Sequence, residues 1–209
     1  PTKFVGYDSL AVKARVLEVV SIKKKNAVIL DTTACYAEMG GQVGDSGELY
    51  LDFVASDVNR LTAPDRPVVS RPEGILQISN TLKSGNTWLH LLEGEFIPTI
   101  GTEVILRVDR SRREAIQRHH TVTHLLHWAL HEVVSREASQ KGSFVGPDKL
   151  TFDFNSAPLT PQQVADIEKL VNERVLENAA VSWIEVPYAD VKTRPDVMQF
   201  FGDKYGDTV

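Results

Sequence analysis

The periodicity of the apolar residues changes once along the chain, near Ser111, and this change limits the folds that the chain can adopt. Before it, short runs rich in β-branched residues alternate with turn residues. After it, apolar residues recur at helical spacing. Many short strands favour a small antiparallel barrel, and helices alternating with strands favour a separate two-layer α/β arrangement. The sequence therefore predicts an α+β protein in which residues 1–110 form the barrel and residues 111–209 the second part.

Six runs of apolar residues in the first part are bounded by turn residues and predict strands. They cover residues 14–22, 27–33, 48–54, 74–82, 87–92 and 103–108. The sequence Lys-Lys-Lys-Asn at residues 23–26 separates the first two runs and is typical of a hairpin turn. Three prolines within residues 61–72 predict a loop or a weak edge strand there.

Two capping patterns mark the predicted helices of the second part. Ser111 can cap a helix that runs to about residue 138, with Glu114 as its capping-box partner. Thr160, Pro161 and Gln163 supply an N-cap, a first-turn proline and a capping-box glutamine for a helix that runs to about residue 179. The residues that this second helix is predicted to bury are Val164, Ile167, Leu170, Val171 and Val175. Strands are predicted at residues 149–154 and 181–186, and a short helix at residues 196–201.

Five of the six histidines lie on the first predicted helix. At roughly 100° per residue, four of them share one narrow stripe, with apolar residues roughly opposite: His120, His124, His127 and His131. A merely solvated helix face would more usually carry Lys and Glu, which are better helix formers. Because neutral imidazole is the commonest protein metal ligand, we interpret the His-x3-His pair His120 and His124 as metal ligands. Thr121 stands where a metalloprotease helix needs a glutamate as general base, which argues against peptide hydrolysis by that route.

The net charge of −5 means that any contact with nucleic acid must come from a local basic patch. One such patch adjoins the histidine helix and consists of Arg107, Arg110, Arg112, Arg113 and Arg118, followed by Lys141. Arginine near a helix N-terminus is unfavourable for the helix dipole, so a phosphate-binding role is as plausible as a solvated helix start.

Cysteine content and hydropathy indicate the compartment. Cys35 is the single cysteine, so no internal disulfide can form, which fits a reducing cytosol. No apolar run approaches the 18 or so residues that span a bilayer, and no signal-peptide pattern opens the chain. We therefore expect a cytoplasmic protein without a membrane partner.

Three motifs follow one another along the chain. Residues 31–45 read Asp-Thr-Thr-Ala-Cys-Tyr-Ala-Glu-Met-Gly-Gly-Gln-Val-Gly-Asp, and residues 118–127 read Arg-His-His-Thr-Val-Thr-His-Leu-Leu-His. Ser-Gln-Lys-Gly-Ser at residues 139–143 is followed by Phe-Asp-Phe at residues 152–154. In order and spacing they resemble the signature segments of the editing domain of alanyl-tRNA synthetases, and the similarity covers nearly the whole chain. Two positions depart from the family pattern: His119 replaces the usual Asn, and Cys35 stands where an aromatic residue is typical, so we interpret Cys35 as a core residue.

The resemblance implies a small β-barrel followed by an editing domain like the second additional domain of threonyl- and alanyl-tRNA synthetases. It also implies an activity, hydrolysis of the ester in Ser-tRNA or Gly-tRNA mischarged on the tRNA for alanine. A synthetic pocket sized for alanine cannot strongly reject glycine and excludes the extra hydroxyl of serine poorly, so a second, hydrolytic site is needed. The implied partners are the acceptor end of that tRNA and the rest of a synthetase chain.

Residue roles follow from the resemblance. Gln42 and Thr33 would line the pocket as catalytic residues that help to separate serine from alanine, whereas a purely structural interpretation makes Gln42 the cap of a glycine turn and Thr33 a strand end. Gly40 and Gly41 would let the backbone approach the substrate. The other implied substrate-binding residues are Arg118, Lys141 and Thr123, although Thr123 can instead cap its own helix backbone.

The implied cofactor is zinc, with His120 and His124 as two of its ligands. The family completes the site with a Cys-x3-His motif, and the chain ends at Val209 before any such motif, so we expect a synthetase fragment with an incomplete zinc site. The ion would activate a water against the ester or fix the terminal ribose. We expect His120 and His124 to face a cleft shared with the Gly-Gly-Gln turn.

Two alternatives remain open. One is a freestanding deacylase that edits in trans, and the other is a tRNA-docking module without catalysis. The long gap between Gln42 and His120, and Ala37-Glu38 before Met39, look more like the synthetase.

Overall fold

The computed structural model describes residues 1–22, 24–51, 74–182, 184–197 and 206–209. The chain divides into two compact units. The first comprises residues 1–120 and 143–151, and the second comprises residues 121–142 and 152–209. This division differs from the predicted boundary at Arg110 because the first turns of the following helix belong to the first unit, in which Arg113 and Ile116 are buried.

The first unit contains a closed barrel of six strands, which confirms the predicted barrel and the α+β class. The strands up to the first helix are β1 (Lys3–Phe4), β2 (Ala11–Ile22), β3 (Lys25–Leu30), β4 (Thr32–Thr33), β5 (Gly47–Tyr50), β6 (Ile75–Ser84), β7 (Thr87–Leu92) and β8 (Glu103–Val108). Around the barrel the order is β2-β3-β7-β6-β5-β8, and every neighbouring pair is antiparallel. Strand β2 closes the barrel because its first half pairs with β8 and its second half with β3.

The barrel strands lie close to their predicted positions, although β2 begins at Ala11, three residues before its predicted start, and two other predictions also differ. The predicted strand at residues 27–33 is divided into β3 and β4, because β4 pairs in parallel with β1. Strand β5 ends at Tyr50, before the predicted end at residue 54. The end of that prediction, at residues 52–54, and the loop predicted at residues 61–72 lie outside the described residues.

Aliphatic side chains fill the barrel core, as the alternating strand pattern predicts. Its buried members include Val16, Val28, Leu30, Leu49, Leu92, Val104 and Leu106. Cys35 is fully buried in the same cluster, which confirms it as a core residue. Burial raises the pKa of its thiol to about 12, so the thiol stays protonated at neutral pH.

Helix α1 (Arg110–Val133) follows the barrel, and both of its ends differ from the prediction. The predicted Ser111 cap is wrong, because Asp109 Oδ1 accepts the backbone N–H of Arg112 at 3.0 Å and Ser111 is already helical. Glu114 pairs with Arg110 at 3.3 Å instead of closing a capping box. The helix ends at Val133 rather than near residue 138, where the chain turns so that Ala138 N–H donates to Ser135 O.

Two strands, β9 (Gln140–Val145) and β10 (Leu150–Phe154), form a second small sheet, and β10 matches the strand predicted at residues 149–154. Helix α2 (Pro161–Leu176) has the predicted capping box, in which the Thr160 side chain and Gln163 bond each other's backbone N–H groups. A short helix, α3 (Tyr188–Val191), was not predicted. No helix in the described ranges is both long and apolar enough to cross a membrane.

The second unit has its own apolar cluster, but it is smaller than the sequence predicts. Ile167 is buried there, and Leu170 and Val171 are half-buried. The predicted burial of Val164 and Val175 is wrong, since each is about half exposed, at 50% and 49%.

The strand predicted at residues 181–186 is also wrong for the residues described there. Val181 and Ile184 are exposed, and the backbone makes only a bridge-like pair of bonds between Val186 and Val209. The apolar residues at this spacing lack a neighbouring strand in the described chain to pair with. Most of the short helix predicted at residues 196–201 lies outside the described residues.

Candidate functional site

The Gly-Gly-Gln segment of the first unit is a tight turn. Met39 and Gln42 bond each other through both backbone N–H groups, at 3.1 Å each. The two residues between them, Gly40 and Gly41, have positive φ angles of 62° and 88°, as a type I′ turn requires. Gln42 is buried, with 6% of its surface exposed. The turn therefore places one polar side chain, Gln42, in a largely solvent-free position.

The end of strand β9 packs against this turn. Val43 N–H donates to Val145 O at 3.0 Å, and Val145 N–H donates to Gly41 O at 2.8 Å. A Cβ added at Gly41 would lie 2.5 Å from the carbonyl oxygen of Ser143, whereas one at Gly40 would meet nothing within 4 Å. The close approach at Gly41 is thus to the protein's own backbone, and a substrate contact at either glycine stays a prediction.

These contacts predict different costs for the same substitution at neighbouring positions. Gly40→Ala is expected to cost about 1 kcal/mol, because only its left-handed φ is strained. Gly41→Ala is expected to cost roughly 2 kcal/mol, because β9 must also move to accept the new methyl group. Urea unfolding of the two variants measures the difference, and equal losses would contradict the close packing of β9 on Gly41.

The side chain of Gln42 binds His120, which lies on α1. Gln42 Oε1 is 2.6 Å from His120 Nδ1, and because an amide oxygen can only accept, Nδ1 carries the proton. The neutral ring then has its lone pair on Nε2. Burial lowers the pKa of His120, which keeps the ring neutral at physiological pH. The structure therefore brings together two of the predicted site residues, 78 positions apart, in an arrangement typical of an oriented imidazole ligand.

Metal-ligand chemistry fits this imidazole. A ligating histidine usually donates its second ring N–H to an oxygen that fixes its orientation, as His120 does to Gln42. His124 lies one helical turn further along α1 and is exposed. Within the described ranges, no three His, Cys, Asp or Glu side chains are grouped closely enough to hold an ion. The described residues thus supply two candidate zinc ligands, His120 and His124.

Thr33, the second predicted catalytic residue, belongs to a buried network. His90 Nδ1 donates to Val28 O at 2.9 Å, so its Nε2 accepts the Thr33 hydroxyl at 2.7 Å, and that hydroxyl accepts the backbone N–H of Cys35 at 3.0 Å. Thr33 and His90 are both completely buried. Burial lowers the pKa of His90 to about 4. The Thr33 hydroxyl is therefore engaged inside the barrel unit, and its contact with a substrate stays a prediction.

His90 is the structurally important residue that the sequence analysis missed. It is the only histidine outside the α1 segment. The available signal was its place within an apolar strand, where a polar side chain needs a buried partner.

The other histidines of the stripe have a structural role. His127 is buried and donates from Nε2 to Ala138 O at 3.0 Å, and His131 Nε2 donates to the same oxygen at 2.6 Å. The His127 ring also packs against Phe152, with 5.0 Å between ring centroids. The interpretation that the histidines avoid the packed side of the helix is therefore wrong for His127. Thr123, a predicted substrate-binding residue, is buried on the same helix.

The predicted basic patch is divided by the structure. Arg113 is 4% exposed and pairs with the buried Asp45, so its assignment to a phosphate-binding surface is wrong. Arg110 pairs with Glu114. Arg118 and Lys141 are both exposed, as residues that bind a polyanion must be, and their substrate role stays a prediction.

The fold and the site together define an α+β protein with a closed six-stranded barrel and a histidine–glutamine pair at a Gly-Gly-Gln turn. The chain is homologous to a segment of alanyl-tRNA synthetase. It is 41% identical over 210 residues to the alanine–tRNA ligase of Methylacidiphilum infernorum and 42% identical over 212 residues to that of Akkermansia muciniphila, in both cases along 100% of the chain. With the enzyme of Dichelobacter nodosus it shares 35% identity over 206 residues, which is 97% of the chain.

The chain spans about a fifth of the length of these relatives, between 20% and 21%. No protein-family model matches it.

Proposed function

We propose that the chain is the editing part of an alanyl-tRNA synthetase and hydrolyses the aminoacyl ester of Ser-tRNA and Gly-tRNA mischarged on the tRNA for alanine. The observation that carries the proposal is the bond between Gln42 and His120. It orients a neutral imidazole beside a turn whose two glycines leave room at Gly40. The homology to alanine–tRNA ligases supplies the substrate class, since an alanine–tRNA ligase, as its name states, joins alanine to tRNA.

In this proposal His120 and His124 hold a zinc ion, and the remaining ligands come from the family's Cys-x3-His motif. A bound zinc supplies Lewis-acid chemistry to a water or to the terminal ribose. Gln42 holds the proton on His120 Nδ1, which keeps the lone pair on Nε2. The amide nitrogen of Gln42 is a donor suited to the ester carbonyl or the serine hydroxyl. We place Gln42 rather than Thr33 at the substrate, because the hydroxyl of Thr33 is bound to His90.

Binding of the tRNA is assigned to exposed cations. Arg118 and Lys141 are exposed, and they are suited to contact phosphates of the acceptor end. The net charge of −5 restricts such contacts to local positions of this kind. We propose that the chain acts together with the rest of a synthetase chain, because its homologues are about five times as long. We also propose that the protein is cytoplasmic, because its single cysteine fits a reducing compartment.

The test is an ester-hydrolysis assay with the complete product of the gene. Ser-tRNA and Gly-tRNA on the tRNA for alanine are expected to be deacylated, and correctly charged Ala-tRNA to be spared. Equal hydrolysis of all three would contradict editing. Binding of the tRNA without any hydrolysis would support the tRNA-docking alternative instead. If the complete gene product is active but is no longer than an isolated editing domain, the freestanding deacylase would be favoured.

A further inference from the structure

A second contact joins α1, on the N-terminal side of His120, to the loop of residues 34–45 that carries the Gly-Gly-Gln turn. Arg113 Nε lies 3.0 Å from both carboxylate oxygens of Asp45, and Arg113 Nη2 also bonds Asp45 Oδ2. Arg113 is 4% exposed and Asp45 is 1% exposed. Because both charges are removed from water, taking away either partner would leave the other as an unpaired buried charge, which costs far more than breaking a surface pair.

Arg113 binds the two ends of the loop at once. Its Nη2 donates to Ala34 O at 2.9 Å, where the loop begins, and its other terminal nitrogen donates to Gly6 O at 2.8 Å. At the other end of the loop, Asp45 Oδ2 accepts the backbone N–H of Tyr36 at 2.6 Å, and Asp45 N–H donates to Tyr36 O at 2.9 Å. The guanidinium therefore fixes the base of the loop whose tip carries Gln42.

The two contacts have a similar spacing on α1 and on the loop. Arg113 and His120 are seven positions apart, so they lie about two turns apart on the same face of α1. Asp45 and Gln42 are three positions apart in the loop. Two contacts between the same two segments fix their relative register. This matters because an imidazole must be held to within about 0.5 Å of its position to serve as a ligand.

We propose that Asp45 and Arg113 are positioning residues that act on His120 through Gln42. Their ion pair sets the register at which the Gln42 oxygen meets His120 Nδ1. This in turn fixes the tautomer of the ring and the direction of its Nε2 lone pair. The effect on metal binding rests on the proposed function. The effect on the tautomer of His120 does not, because it is a property of the metal-free ring.

The experiment compares Asp45→Asn, Gln42→Ala and the double variant with the wild-type protein, using the complete gene product. The first measurement is the ¹⁵N spectrum of His120 in the metal-free protein. Wild type is expected to be protonated on Nδ1, and each variant to show a mixture of tautomers. The second measurement is affinity for Zn²⁺ itself, which Asp45→Asn is expected to lower about tenfold, at the lower end of the loss seen for residues that orient ligands. Asp8→Asn, the same change at an exposed carboxylate of the same unit, is the matched control and is expected to have neither effect.

The double variant separates positioning from general loss of structure. If Asp45 acts through Gln42, Asp45→Asn has no further effect on the tautomer or on zinc affinity once Gln42 is alanine. Additive losses, or a wild-type tautomer in Asp45→Asn, would overturn the inference. The His90 resonances show whether the barrel is intact, and if Asp45→Asn fails to fold, Arg113→Lys takes its place in the same cycle. Zinc binding that does not depend on His120 would refute the proposed metal site, while the tautomer measurement would still decide the positioning role.

Discussion

Replacing His120 by alanine is expected to lower the zinc content and the rate of Ser-tRNA deacylation together. The expected loss of rate is more than about 100-fold, because changing a residue that merely orients a ligand already costs 10- to 100-fold. The physical reason is that His120 Nδ1 donates its proton to the Gln42 oxygen, which leaves the lone pair of the ring on Nε2, the atom that would bind zinc. The lowered pKa of His120 keeps the ring neutral at physiological pH. Mass spectrometry of the bound metal and the deacylation assay are run on the same preparation of the complete gene product.

The matched control for this variant is His131→Ala. It removes the same side chain from the same helix, but His131 donates from Nε2 to Ala138 O and has no assigned role in the metal site. Zinc content and rate are expected to stay close to wild type in the control. Full zinc in His120→Ala, with the rate unchanged, would remove this residue from the site. A lost rate with full zinc would instead assign His120 to the substrate.

Local features of the fold could be predicted from the sequence, because the physics that produces them is local. The capping box of Thr160 and Gln163 involves residues three positions apart and was predicted correctly. The barrel strands were predicted from alternation within short windows, and their closure into one barrel followed from strand number and spacing. The predicted start of α1 was wrong by two residues, since Asp109 and Ser111 are both good caps and the backbone of the preceding strand decides between them.

Contacts between distant residues could not be predicted in the same way. The partner of Arg113 is Asp45, 68 positions away, so the sequence showed only an arginine near a helix start. The helical stripe likewise showed which histidines share a face. It did not show that the chain turns back after α1, so that Ala138 O accepts a hydrogen bond from His127 and His127 is buried. The approach of His120 to the Gly-Gly-Gln turn was expected only because the motifs resembled a family. Helical periodicity alone gives the direction of a side chain and leaves its partner undetermined.

The buried histidine of the barrel predicts a marked loss of stability in mild acid. Burial lowers the pKa of His90 to about 4 in the folded protein, from 6.5 in an exposed histidine. Between these values the unfolded chain binds a proton at His90 that the folded chain does not, so each fall in pH favours unfolding. The stability from this residue is complete above pH 6.5 and decreases towards pH 4, by about 3 kcal/mol in all.

Urea unfolding at pH 7 and pH 4.5, with EDTA present to remove metal, tests this prediction against His90→Gln. The variant is expected to be less stable at pH 7, because one side-chain amide cannot reach both Val28 O and the Thr33 hydroxyl as the imidazole does. It is also expected to lose less stability on acidification, since glutamine does not titrate. His120 and His127 have lowered pKa values too and add to the acid loss in both proteins, so the difference between the two pH profiles isolates His90. Parallel profiles would mean that His90 is protonated without unfolding the barrel, and the Thr33 network would then have to accommodate a charged ring.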